Sequence, residues 1–152
     1  MYLIFFLNDY VYSDNAISGE IPEEFAELTN LHSIVLRGNL LGGNLLMFRE
    51  LSELEYMDFS SNYFDGRLPL FGSNQSNLRV AKLNNNQFVG GIPDDIMDLV
   101  QLEDLMAHGN QLAGSLLTQL GMLHNLSRFS VSLSITLDFT SNLCCCRLLI
   151  IR

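Results

Sequence analysis

Leu78-Arg79-Val80-Ala81-Lys82-Leu83-Asn84-Asn85-Asn86-Gln87-Phe88-Val89-Gly90-Gly91-Ile92-Pro93 decides the fold, because its spacing recurs along the chain. Its marked positions are Leu78, Ala81, Leu83, Asn86, Phe88, Gly90, Ile92 and Pro93. The same spacing starts at Leu7 (Tyr10, Tyr12, Asn15, Ile17, Gly19, Ile21, Pro22) and at Leu54 (Met57, Phe59, Asn62, Phe64, Gly66, Leu68, Pro69). It starts again at Leu31 (Ile34, Leu36, Asn39, Leu41, Gly43, Leu45) and at Leu102 (Leu105, Ala107, Asn110, Leu112, Gly114, Leu116). A weaker sixth copy begins at Leu126, and the successive starts lie 24, 23, 24, 24 and 24 residues apart. A fixed period of this length marks a stack of structural repeats.

Each column has a physical reason. The LxL core alternates apolar and variable residues, which is strand periodicity. One repeat cannot bury its own apolar face, so the copies must stack. The Asn column supplies a side-chain amide that satisfies backbone groups where the strand turns. The Gly column allows a φ that other residues resist. Ile-Pro starts a second extended stretch in which a missing N–H is tolerated. The pairs Phe25 and Leu28, or Ile96 and Leu99, stand three apart and predict a short helical turn on the opposite side.

Composition narrows the function. The 152 residues suit one domain, and 48% apolar with 16% charged residues argues against disorder. A formal net charge of -9 excludes a nucleic-acid partner, which needs a basic footprint. The three cysteines, Cys144, Cys145 and Cys146, are adjacent and offer neither a disulfide framework nor zinc spacing. Met1 to Leu7 is apolar but lacks the basic start and small-residue cleavage site of a signal peptide. No stretch is long enough to span a membrane.

The LxxLxLxxNxLxGxIP string resembles the plant-type subclass of leucine-rich repeats, whose mark is the Gly-x-Ile-Pro half seen at Gly19-Glu20-Ile21-Pro22. The resemblance runs from about Leu7 to Val131. It implies an α/β right-handed solenoid, with a parallel concave β-sheet and turns and short helices on the convex side. It also implies a non-catalytic protein- or peptide-recognition module, part of a receptor-like signalling protein at the cell surface. The alternatives are a secreted inhibitor of a cell-wall-degrading enzyme, an intracellular scaffold and a non-functional gene fragment. Residues 1–131 form the repeat domain and 132–152 a degenerate partial repeat and tail. After Val131 the register fails, with Ser134, Thr136 and Asp138 in the Asn, Leu and Gly columns, while Leu137 to Asn142 echoes Met57 to Asn62. Leu45-Leu46 and Leu116-Leu117 replace Ile-Pro, and the paired-Cys caps of the family are missing. An uncapped apolar end predicts that the chain is an excerpt from a longer protein.

Ligands are implied to dock on the concave strand face, where the variable positions stack. The third column reads Asp9, Ser33, Tyr56, Val80, Asp104, Arg128; the fifth Val11, Val35, Asp58, Lys82, Met106, Ser130; the seventh Ser13, Arg37, Ser60, Asn84, His108, Ser132. Six strands give a strip of about 25 Å. Its candidate contacts are Arg37, Tyr56, Asp58, Lys82, Asn84, Met106 and His108, a mix of aromatic, charged and soft apolar groups suited to recognition. The competing reading is an ordinary solvated sheet face, with Asp58 and Lys82 merely paired to each other. No nucleophile–base set, phosphate-cradling loop, metal spacing or cofactor motif is present. Asp104 and His108, four residues apart on one strand, stand about 13 Å apart and do not share a ligand. Two glycosylation sequons occur, at Asn74-Gln75-Ser76 and Asn125-Leu126-Ser127.

Overall fold

A computed structural model describes residues 8–70, 72–114, 123–132 and 148–151. Six short strands, one per repeat, pair parallel in chain order: β1 (Asp9–Val11), β3 (Ser33–Val35), β5 (Tyr56–Asp58), β7 (Val80–Lys82), β9 (Asp104–Ala107) and β11 (Arg128–Val131). A seventh strand, β12 (Leu148–Ile151), pairs with β11 in the opposite sense. The parallel strand in each repeat is as expected, and the antiparallel one lies in the 132–152 segment beyond the repeats. A parallel neighbour needs a crossover coil, and the columns that shape such a coil fail after Val131. The cysteine triplet, Leu116-Leu117 and the echo at Leu137 to Asn142 lie outside the described residues.

Between the columns of Asn and Gly the chain forms a second set of strands. These are β2 (Ser18–Glu20), β4 (Leu40–Gly43) and β6 (Tyr63–Phe64) in one sheet, and β8 (Val89–Gly90) with β10 (Gln111–Leu112) in another. Among the described residues the opposite side carries four 3₁₀ turns: Glu23–Glu27, Leu46–Glu50, Gly72–Gln75 and Asp94–Asp98. Pro22 and Pro93 lead into two of them with φ of -59° and -67°, the value their rings impose. The predicted short helices are therefore 3₁₀, which explains apolar pairs three apart: Leu28 N–H donates to Phe25 O and Leu99 N–H to Ile96 O, both at 3.1 Å.

The marked apolar columns converge on one core. Leu31, Leu54, Leu78 and Leu102 are fully buried, as are Ile34, Met57, Ala81 and Leu105 one half-turn on. Phe59 anchors an aromatic stack, 5.0 Å from Phe48 and 5.5 Å from Phe64. Each such side chain contributes about 2–3 kcal/mol when removed from water.

The Asn column ties coil to coil. Asn86 Nδ2 donates to Phe59 O of the preceding coil at 2.9 Å and to Leu83 O of its own at 3.3 Å. Its Oδ1 accepts from Phe64 N–H at 3.1 Å. Asn62 repeats this with Leu36, Phe59 and Leu41, and Asn110 with Leu83, Ala107 and Phe88. Asn39 does so with Tyr12, Leu36 and Ile17. The residue before each Asn adopts a left-handed backbone in all five coils: Asp14, Gly38, Ser61, Asn85 and Gly109. Gly, Asn and Asp tolerate that conformation better than other residues, and Ser61 adopts it in the same turn.

Candidate functional site: the concave strip

The concave face is built from the columns between the buried ones. The ladder places Asp9, Ser33, Tyr56, Val80, Asp104 and Arg128 side by side, as the spacing predicts. It places Val11, Val35, Asp58, Lys82, Met106 and Ser130 beside one another in the next column.

At the centre, Lys82 Nζ donates to Tyr56 Oη at 2.8 Å and lies 5.2 Å from the centroid of that ring. Asp58 Oδ2 is 3.8 Å from the same ammonium. The Lys82 pKa is raised, first by the hydrogen bond to Tyr56; the charges of Tyr56 and Asp58 add to this, against burial and the nearby Arg128. Lys82 therefore stays charged well past neutrality. Asp58 itself is only 4% exposed. Its Oδ1 accepts from the Ser60 hydroxyl at 2.5 Å and from the Ser60 N–H at 3.1 Å. It forms the floor of the strip and orients Lys82; it presents little surface to a ligand.

Toward the last coils, Met106 and His108 are half-buried, and Ser130 Oγ stands 3.0 Å from His108 Nδ1. Asn84 is half-buried on the coil before. Arg37 is exposed and lies apart from this group, its guanidinium 3.6 Å from the equally exposed Asp14. The structure thus gathers Tyr56, Asp58, Lys82, Asn84, Met106 and His108 on three adjacent coils and leaves Arg37 on a flank. Asp104 and His108 turn to different partners, Arg128 and Ser130.

Two ion pairs were not singled out from sequence. Arg128 grips the buried Asp104 with Nε at 2.7 Å and Nη2 at 2.6 Å, and Arg79 grips Glu103 with Nη2 at 2.6 Å. The signal was present: opposite charges 24 residues apart in one column are neighbours across one coil. Among the described residues no group of three or more His, Cys, Asp or Glu is placed to hold a metal ion. Among them also, no helix is long and apolar enough to cross a membrane. The surface offers shape, hydrogen bonds and paired charge on a rigid sheet.

Of the two sequon residues, Asn74 is exposed on the Gly72–Gln75 turn, and Asn125 is exposed at the entry to β11.

Comparison with known proteins agrees with this geometry. The family described as Leucine Rich Repeat matches residues 77–99. Receptor-like protein 7 of Arabidopsis thaliana is 39% identical over 106 residues, 68% of this chain and 11% of that protein. Receptor-like protein 39 of the same plant is 28% identical over 131 residues, 68% of this chain and 15% of that protein. The Arabidopsis receptor kinase HAESA, solved with the peptide hormone IDA and the co-receptor SERK1, superposes with a TM-score of 0.82 at 28% identity, covering 86% of this chain and 22% of that one. The LRR ectodomain of the plant membrane receptor kinase GASSHO1/SCHENGEN3 from Arabidopsis thaliana, solved with CASPARIAN STRIP INTEGRITY FACTOR 2, gives 0.80 at 26%, covering 85% and 16%. The chain spans only about a tenth to a seventh of the length of these curated relatives.

Proposed function

We propose that this chain, a leucine-rich-repeat solenoid of the plant receptor-like type, recognises an extended peptide or protein segment outside the cell through its concave strip. It is a recognition unit without chemistry of its own. The observation that carries the reading is the cluster Tyr56, Lys82, Asn84, Met106 and His108, set on stacked strands whose backbones are hydrogen-bonded coil to coil. Preorganised side chains on a sheet lose little entropy on binding. An aromatic ring, a tethered ammonium and a soft thioether supply contacts of different kinds within one patch. The peptide hormone named with the similar receptor kinase HAESA supports a peptide occupant. The extracellular setting is supported by the likeness to the LRR ectodomain of a plant membrane receptor kinase.

A peptide library displayed on phage and panned against the immobilised chain tests this. Binders should enrich and should lose at least roughly tenfold in affinity on a variant carrying Tyr56→Ala, Lys82→Ala and Met106→Ala, the size expected when central contacts are removed. Peptides that bind wild type and the triple variant equally well place recognition elsewhere and overturn the reading.

A further inference from the structure

The two sequons share a sequence pattern but not a structural role. Asn125 Nδ2 donates to Val100 O of the preceding coil at 2.9 Å, and the hydroxyl of its sequon partner Ser127 bonds Glu103 O at 3.2 Å. Asn77, which stands one residue before its repeat just as Asn125 does, makes the same tie to Ser52 O at 3.2 Å. This position is thus a second inter-coil fastener, repeated two coils apart. Asn74 is different. It is exposed on the Gly72–Gln75 turn, and no described residue hydrogen-bonds its side chain. The residue after it, Gln75, is fully buried and donates from Nε2 to Phe48 O at 3.1 Å, so the turn that carries Asn74 is held from beneath. Beside Asn74 lies an open polar groove of about 410 Å³, bordered by Arg49, Glu50, Ser52, Glu53 and Asn77.

From this contrast we infer that Asn74 is the N-glycan acceptor of this chain and that Asn125 is a structural tie left bare. In the modification, Nδ2 forms a bond to the anomeric carbon of an activated oligosaccharide headed by an N-acetylhexosamine. The nitrogen gives up one of its two protons, and the diphosphate of the donor leaves with the electron pair of the broken bond. At Asn74 the remaining N–H and the first sugar meet only solvent and the hydrogen-bonding rim of the groove. At Asn125 the sugar leaves from the atom that fastens one coil to the next, and the lost proton removes half the donor capacity of that amide. A glycan at Asn74 stands on the convex flank and leaves the concave strip clear. The inference rests on the extracellular reading for its biological setting, and the test supplies the secretory route itself so that the two can fail separately.

The full chain is fused to a secretion leader and expressed in yeast. Total chain, retained and secreted, is deglycosylated enzymatically in ¹⁸O-labelled water, and each sequon is scored by peptide mass spectrometry. The expected result is ¹⁸O-aspartate at position 74 on most molecules and several-fold less at position 125. The Asn74→Gln variant should lose the glycan mass, and the Asn125→Gln variant should keep it. Equal occupancy of the two sites, an excess at Asn125, or a bare Asn74 overturns the inference.

Discussion

Asn15 and Asn86 hold the same column in different coils, and their circumstances are opposite. Asn86 is 8% exposed and fastens its own coil to the one before it through Phe59 O and Phe64 N–H. Asn15 is exposed and, among the described residues, donates to Ser13 O at 2.8 Å. The residue is the same and the backbone turn is the same. What differs is the set of partners: Asn86 reaches a carbonyl and an amide of the neighbouring coil, and Asn15 a carbonyl of its own. The value of a repeated residue thus resides in the junction and not in the repeat, as expected for a quasi-one-dimensional stack.

This contrast can be broken experimentally, starting where the effect is largest. Phe59→Ala, at the centre of the aromatic stack, should destabilise the middle coils by about 4 kcal/mol in urea unfolding followed by circular dichroism. Tyr10→Ala, at a residue only partly buried against the same core, should cost clearly less; equal losses would mean that depth of burial does not set the cost. Asn86→Ala leaves the buried Phe64 N–H without its acceptor, while Phe59 O and Leu83 O keep the Asn62 and Asn110 amides, and should cost about 2 kcal/mol, against less than about 1 kcal/mol for Asn15→Ala. If the two Asn variants unfold at the same urea concentration, the cross-coil bonds carry no net stability. Gly109→Ala forces a side chain into a left-handed backbone and against Asn85 of the coil before, for about 2 kcal/mol. Gln87→Ala, exposed on the same flank, should be nearly silent.

The smallest effect concerns pH. Because the Lys82 pKa is raised in the fold, its tie to Tyr56 contributes fully below the ordinary lysine value of 10.5 and fades as pH climbs past it. Lys82→Met should remove roughly a few tenths of a kcal/mol at pH 7 and flatten that alkaline slope. A slope unchanged in the variant assigns it to other groups.

Much of this was legible because period-24 spacing fixes which residues become neighbours. The third and fifth columns stack residue for residue as the sequence orders them, from Asp9 to Arg128 and from Val11 to Ser130. Depth was not legible. Alternation says that Asp58, Ser60 and Asp104 face the concave side, yet all three are buried, since short acids and hydroxyls sink beneath the longer side chains of Lys82 and Arg128. The left-handed column of Asp14, Gly38, Ser61, Asn85 and Gly109 was hidden because its residues share a backbone conformation and not a side-chain type. The reach of each Asn into the neighbouring coil was hidden too, since a sequence column shows where a residue recurs and not what lies behind it. The direction of β12 was equally silent: Leu148-Leu149-Ile150-Ile151 has no period to set it.

The backward reach of the Asn column gives the solenoid an arrow in time. From Asn39 to Asn110, each column amide finds its cross-coil partners on residues that leave the ribosome earlier than itself. A growing chain therefore meets every new Asn with its acceptors already made, so coils can close one after another during synthesis and no amide has to wait for sequence yet to come.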